Sequence, residues 1–224
     1  MIKRTPLKDR VLPDYTRGEE IFNMVTHIVG GGLGIIYLVM CVAMAAVHNN
    51  PIGIVSSVIY AFTVITLFTM SSVYHGLKNE TAKKVLQVID HCTIYFMIAG
   101  TYTPFALCSV RGQNTAAGWT LFGIIWAVTF IAATFTAIDH NRFKVLGMVC
   151  YLAMGWCIVG FWDLTYAALG AKGAAYLISG GILYTVGSVL YMLGPKKRYI
   201  HSLFHIFVDL ASLMHFFCIF FYVL

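Results

Sequence analysis

Residues 200–224 read IHSLFHIFVDLASLMHFFCIFFYVL, an almost unbroken apolar run that follows a basic triplet at residues 196–198 and Tyr199. If the run is helical, His201 and His205 leave the same face about 6 Å apart, which is metal-ligand spacing. Imidazoles in a segment long enough to cross a bilayer are costly, and ionisable residues inside membranes mark functional sites. The run therefore predicts a membrane helix with a metal site near its start.

The composition of the whole chain is that of an integral membrane protein. Apolar residues make up 59% and charged residues 11%, with a mean hydropathy of +0.80, whereas soluble proteins have roughly 45–50% and about 25%. The chain carries a net charge of +6, and its basic residues flank the apolar runs. We therefore attribute this charge to membrane topology and predict no nucleic-acid partner.

The six cysteines lie inside apolar runs without a C-x-x-C pair, which indicates small buried side chains rather than disulfides.

Seven apolar runs follow a basic leader, which we place at residues 1–19. Each run is long enough to cross a hydrocarbon core of about 30 Å at about 1.5 Å per residue. Their approximate limits are 21–47, 52–77, 84–108, 115–137, 145–167, 173–193 and 200–224. The breaks between them are too short for a second domain. We predict an all-α, seven-transmembrane-helix bundle that forms one membrane domain, residues 20–224.

The basic residues also predict the orientation of this bundle. With the amino terminus inside, thirteen lysines and arginines fall on the inner side, and only Arg111 and Lys172 fall on the outer side. Cytoplasmic loops of membrane proteins carry such an excess of positive charge. The amino terminus is therefore predicted to be cytoplasmic and the carboxyl terminus to lie outside.

Polar residues from three runs fall at one depth. His75 ends the second run, Asp90 lies about 9 Å into the third, and His201 and His205 lie about 4–11 Å into the seventh. All four occupy a single slab of the inner leaflet. The alternative interpretation is that they are helix-end residues that bond to carbonyls near the interface.

The residue types in this slab suit zinc chemistry. Three neutral imidazoles hold Zn²⁺ and leave a fourth position open, and a nearby carboxylate can deprotonate the zinc-bound water. We predict His75, His201 and His205 as metal ligands and Asp90 as a base that meets the metal through that water. Ser71, one turn deeper than His75, could donate to a substrate carbonyl; alternatively, it bonds to the carbonyl four residues before it.

Other polar residues accompany the predicted site. Glu20, Asn23 and His27 share one face of the first helix, and we predict a structural network that holds this helix against the seventh or caps the site. A fourth metal ligand at His27 is the alternative. Asp209 lies four residues after His205 and therefore on the same face, and its role is left open.

Motifs in three separated parts of the chain carry a family resemblance. They are Glu20-x-x-Asn23-x-x-Thr26-His27, then Ser71-x-x-x-His75 followed by Asp90-His91-x-x-Ile94 and Ala99-Gly100-Thr101-Tyr102-x-Pro104, and finally His201-x-x-Phe204-His205. The chain resembles the haemolysin III branch of the progestin-and-adiponectin receptor family, which is grouped with the alkaline ceramidases. The resemblance implies the same three histidine ligands, with Asp90 on the zinc-bound water and Ser71 beside it. It also implies a role in membrane lipid homeostasis.

We therefore expect a zinc-dependent hydrolase that cleaves an acyl-lipid amide or ester bond at the inner leaflet of a bacterial inner or plasma membrane. Its partner would be a membrane lipid, as substrate or ligand, and whether the protein forms a homo-oligomer is left open.

One alternative is a lipid-sensing receptor with structural zinc and no catalysis. Another is a haemolysin-type pore, although the chain lacks a cleavable signal and an amphipathic segment that could stay soluble. A two-haem cytochrome would need histidine pairs at two depths, whereas these histidines cluster at one.

Overall fold

The computed structural model describes residues 4–194 and 197–224, and this part of the chain is helical almost throughout, without a β-strand. Lys3 and Lys196, which the orientation argument counts, lie outside the described residues. The main helices are α1 (Arg17–Val47), α2 (Pro51–Gly76), α3 (Glu80–Pro104), α4 (Thr115–Ile138), α5 (Lys144–Gly155), α6 (Trp162–Leu193) and α7 (Ile200–Cys218). The all-α prediction is confirmed.

Shorter helical segments join or extend these helices. Two 3₁₀ turns lie at Leu7–Asp9 and Cys157–Phe161, and α7 ends in a π-helix, Ile219–Val223. A second π-helix, Phe105–Val110, begins directly after Pro104 and continues α3. Proline lacks the N–H that the regular i→i−4 ladder needs, so a wider turn is expected at this point.

Six stretches of the described chain are long and apolar enough to cross a membrane. They are Arg17–Val47, Pro51–Gly76, Glu80–Gln113, Thr115–Ile138, Lys144–Leu193 and Ile200–Val223. The chain is therefore a multi-pass membrane protein. The stretch Lys144–Leu193 has 50 residues, and its backbone leaves helical geometry at Gly170, with φ 64° and ψ 179°. Only glycine adopts this conformation readily, and the sequence predicts a break at the same place.

The two halves of this 50-residue stretch pack beside each other. The Lys144 ammonium, at the start of α5, lies 5.7 Å from the ring centroid of Tyr191, near the end of α6. Further along, Trp156 Nε1 donates a hydrogen bond to Thr185 Oγ1 at 3.0 Å. Because residue numbers rise on one side as they fall on the other, α5 and the second half of α6 are antiparallel.

The second half of α6 is also antiparallel to α7. Gly173 packs against Tyr222 at one end of the pair, and Gly194 packs against His201 at the other. The start of α7, which carries the predicted ligands, therefore meets the end of α6.

Local side-chain contacts extend two helices beyond the apolar runs. Helix α1 begins at Arg17 rather than at the predicted residue 21, because Thr16 and Glu19 form a capping box. Glu19 N donates to Thr16 Oγ1 at 3.2 Å, and Thr16 N donates to Glu19 Oε2 at 2.8 Å. Asn79 caps α3 through its side chain, so that helix also begins four residues early.

Glycines let α1 approach its neighbours closely. A Cβ added at Gly34 would lie 2.8 Å from Ile65 of α2, and one at Gly30 would lie 2.8 Å from Phe68 and 2.6 Å from Asp209 Oδ1 of α7. Small residues four apart are typical of closely packed membrane helices. These contacts place the middle of α1 beside α2 and α7.

Candidate metal centre

Three histidines meet where the end of α2 contacts the start of α7. His75 lies in the last turn of α2, His201 and His205 lie in the first two turns of α7, and all three are buried. One potential ligand atom from each lies within 4.8 Å of the other two. This buried group could hold a metal ion.

The spacing of two of these imidazoles is close to that of bound ligands. The Nε2 atoms of His201 and His205 are 3.1 Å apart. Two nitrogens bound to one tetrahedral Zn²⁺ at about 2.0–2.1 Å are about 3.3 Å from each other. A metal ion would therefore require little movement of α7.

The ring nitrogens of the three histidines also have unused hydrogen-bonding capacity. Among the described residues, His75 Nε2, His201 Nδ1 and His205 Nδ1 are buried without a hydrogen-bond partner. Unpaired polar atoms are costly inside a membrane protein. A cation would engage the lone pair of His75 Nε2 and the two facing Nε2 atoms of α7. The unpaired Nε2 of His75 therefore fits a metal, whereas the Nδ1 atoms of His201 and His205 would not be engaged by it.

Glu20 of α1 orients one of the three imidazoles. His75 Nδ1 donates to Glu20 Oε2 at 2.6 Å, and Lys83 Nζ donates to Glu20 Oε1 at 2.5 Å. With its proton on Nδ1, neutral His75 has its lone pair on Nε2, the atom that faces the other histidines. Carboxylates commonly hold metal-binding histidines in this way. The sequence predicts Glu20 as part of a structural network of the first helix but does not reveal its contact with His75.

Aromatic rings pack against the other two imidazoles. Tyr15 stacks on His201 with a centroid distance of 4.8 Å and an interplanar angle of 21°. His27 stacks on His205 at 3.8 Å and 24°. His27 thus contacts α7 through its ring face, and this stacking accounts for part of the predicted contact between α1 and α7.

Asp90 and Ser71 lie beside the histidine group. The Asp90 carboxylate of α3 faces the Ser71 hydroxyl of α2, and both side chains line the same cavity as His201 and His205. The metal-competent group found among the described residues consists of the three histidines without Asp90. The role of Asp90 as a general base stays a prediction. The role of Ser71 as a hydrogen-bond donor to a substrate carbonyl also stays a prediction.

His91, the residue after Asp90, makes hydrogen bonds outside the histidine group. Its Nδ1 donates to the backbone oxygen of Gln87 at 2.7 Å, and its Nε2 accepts from the Tyr191 hydroxyl at 2.9 Å. Both ring nitrogens are satisfied, so His91 has no free lone pair for a metal. The helical spacing, which points His91 about 100° away from Asp90, predicts this separation.

Asp209 lies one turn beyond His205 but does not line the cavity. Its carboxylate lies against the backbone of Gly30, and Oδ1 is buried without a partner in the described parts of the chain. The sequence predicts its position on the face of His205. The structure adds the contact with α1.

A cavity of about 350 Å³ extends from this group into the bundle. Ser71, Asp90, His201 and His205 lie at one end, and His215 lies at the other. Most of the wall between them is apolar or aromatic and comes from α3, α5, α6 and α7. The volume falls within the range of small-molecule pockets.

The sequence of residues 15–216 matches a family model described as Haemolysin-III related. The chain belongs to the haemolysin-III-related family. It is 36% identical to Hemolysin-3 of Bacillus cereus over 206 residues, 92% of each chain. It is also 36% identical to the Hemolysin-3 homolog of Bacillus subtilis over 208 residues, 93% of this chain and 96% of the relative. The human Monocyte to macrophage differentiation factor is 26% identical over 169 residues, 72% of this chain and 67% of the human protein. The resemblance drawn from the motifs is confirmed.

In this haemolysin-III-related chain the three motif regions meet at one place. The first supplies Glu20 and His27, the second supplies His75 with Ser71 and Asp90, and the third supplies the two histidines of α7. Sequence reasoning missed Tyr15, because the leader was interpreted only as a carrier of positive charge. The signal available was an aromatic residue directly before the Thr16 cap, in a segment rich in basic residues.

Proposed function

We propose that this haemolysin-III-related protein binds zinc and hydrolyses an acyl-lipid amide or ester bond reached from the inner leaflet. The observation that carries the proposal is the group of three buried imidazoles, two of which, His201 and His205, line one end of a largely apolar cavity. Three nitrogen ligands with an open fourth position are typical of catalytic zinc. We place the protein in the inner or plasma membrane of a bacterium, with a role in lipid homeostasis.

The residues around the cavity have distinct roles in this proposal. His75, His201 and His205 hold the ion, and Glu20 keeps His75 in the required tautomer. A zinc ion held there supplies a Lewis acid for a carbonyl oxygen and a nucleophile at neutral pH. Asp90 accepts the proton of the attacking water as a general base. The Ser71 hydroxyl donates a hydrogen bond to the oxygen on which negative charge develops.

The shape of the cavity supports a lipid as the substrate. Ser71, Asp90, His201 and His205 lie at one end, whereas the wall that leads away from them is mainly apolar. An acyl chain would bury its surface along this wall, and each buried CH₂ contributes about 0.8 kcal/mol. The amide or ester carbonyl of the same molecule would then lie beside the three histidines.

We also propose seven membrane spans with the amino terminus inside. The antiparallel packing of α5 against the second half of α6, on either side of Gly170, supports two crossings within Lys144–Leu193. Fifty helical residues would measure about 75 Å, far more than a bilayer core of about 30 Å. The excess of basic residues on one side supports the orientation.

The direct test is acyl release from defined lipids by the purified protein in micelles. Ceramide-like and phospholipid substrates are incubated with the wild type, and the released fatty acid is measured by mass spectrometry. We expect release by the wild type, a loss of at least about 100-fold in Asp90→Asn, and none in the double variant His201→Ala/His205→Ala. Release that is equal in all three proteins would contradict the proposal.

A second candidate is a lipid-sensing receptor in which zinc has a structural role. One observation favours it: the histidines come from α2 and α7, and Glu20 links α1 to the same group, so a bound ion would hold three helices together. This function predicts that zinc removal lowers the melting temperature strongly while no lipid is ever cleaved. Measured acyl release would exclude it.

A further inference from the structure

The segment before α1 folds back over the bundle end that carries the histidines. We call residues 4–16 the leader strap. At its start, Thr5 donates from its backbone N and from Oγ1 to Asp139 Oδ2, at 2.7 and 2.6 Å. Near its end, Arg198 Nη1 donates to the backbone oxygen of Asp14 at 2.6 Å. The strap is therefore attached both to the connection between α4 and α5 and to the approach to α7.

The leader strap forms part of the cavity wall. Val11, Leu12, Pro13 and Tyr15 line the cavity together with residues of α3, α5, α6 and α7. The Tyr15 ring lies on His201, with its centroid 5.8 Å from that of His75. The strap thus separates two of the three imidazoles from the aqueous side of this bundle end.

The charges at the attachment point favour a closed strap at neutral pH. Burial opposes ionisation of Asp139, but the two hydrogen bonds from Thr5, the backbone N–H of Arg142 and the charge of Arg10 lower its pKa to about 2. Asp139 is therefore ionised, and hydrogen bonds to a charged acceptor are stronger than neutral ones. Burial raises the pKa of Tyr15 far above its ordinary value, so its hydroxyl stays neutral.

We propose that the leader strap is a movable wall of the cavity, that Tyr15 shields the histidine group from cytosolic water, and that the Thr5–Asp139 contact controls its opening. A closed strap suits a site that works in a low-dielectric, water-poor environment. Opening it would expose the cavity to a polar molecule from the cytosol. The inference rests on the proposed function in one respect only, namely that the histidine group beneath Tyr15 is a metal site.

The test measures how fast a charged reagent reaches the cavity. Ser188 lines the cavity from α6, and Ser188→Cys places a thiol there with little change in size. The full-length protein is treated with a charged, membrane-impermeant maleimide, and labelling of residue 188 is followed by peptide mass spectrometry. We expect Thr5→Val and Tyr15→Ala, each added to the reporter, to label about tenfold faster, as expected for loss of one or two hydrogen bonds or a ring contact. Tyr15→Phe keeps the ring and should label at the rate of the reporter alone.

Thr134→Val is the matched control for Thr5→Val. The Thr134 hydroxyl bonds to Phe130 O on the exposed face of α4, so its loss should leave the labelling rate unchanged. Equal labelling rates for Thr5→Val, Tyr15→Ala and the reporter alone would overturn the proposal. If Tyr15→Ala does not fold, the labelling rate of Thr5→Val by itself is the test. Labelling requires neither metal nor turnover, so failure of the strap and failure of the zinc proposal would be seen separately.

Discussion

Glu20 is the residue on which the orientation of His75 depends. Its carboxylate accepts from His75 Nδ1 and from Lys83, which leaves Nε2 of the imidazole for a metal. We predict that Glu20→Gln, which keeps the shape but removes the charge, weakens zinc binding about 10–100-fold. Competition with a chelator of known affinity measures the change.

Glu80→Gln is the control for Glu20→Gln. Glu80 is exposed and pairs with Lys84 at 2.6 Å, and an exposed pair of this kind contributes little. We expect the zinc affinity of Glu80→Gln to equal that of the wild type. If Glu20→Gln also retains full affinity, the carboxylate does not support the metal site.

At the residue scale, helical periodicity predicted the pairing of His201 with His205, since both lie on one short helix. Their meeting with His75 was predicted from a shared depth and from the family motifs, without any contact between helices to support it. The contact of His75 with Glu20 joins positions 55 residues apart. Periodicity tells which face of a helix a residue occupies, but not which helix lies opposite that face, and so this contact could not be predicted.

Helix α1 depends on close packing at its glycines. A Cβ at Gly30 would lie 2.6 Å from Asp209 Oδ1 and 2.8 Å from Phe68, whereas one at Gly32 would meet nothing within 4 Å. We predict that Gly30→Ala destabilises the protein by about 1–3 kcal/mol, because an added methyl group overpacks this interface. Gly32→Ala should be neutral or stabilising by up to about 1 kcal/mol. Thermal unfolding in detergent compares the two variants, and equal melting temperatures would show that α1 does not pack as described.

At the element scale, the apolar runs predicted where helices lie but not where they begin. The capping box of Thr16 and Glu19 extends α1 into the polar leader, because backbone N–H groups at a helix start are satisfied by side chains rather than by apolar burial. The break at Gly170 was predicted from composition. The contacts that make its two sides antiparallel involve Trp156 and Thr185, which no local pattern connects.

The topology of the whole molecule can be tested with single cysteines. If Lys144–Leu193 crosses twice, residue 172 faces outside while residues 142 and 197 face inside, because the crossings alternate. We predict that Lys172→Cys reacts with an impermeant thiol reagent applied to intact cells, whereas Arg142→Cys and Lys197→Cys react only after the cells are opened. Labelling of Lys197→Cys from outside would indicate six spans instead of seven.

The metal content of the purified protein tests the central claim most directly. His75, His201 and His205 are buried with their potential ligand atoms within 4.8 Å of one another, and we infer that this group holds zinc. Elemental analysis of protein purified without chelators should find about one zinc per chain in the wild type and none in His201→Ala/His205→Ala. Wild-type protein without bound zinc, or a double variant that retains it, would contradict the account.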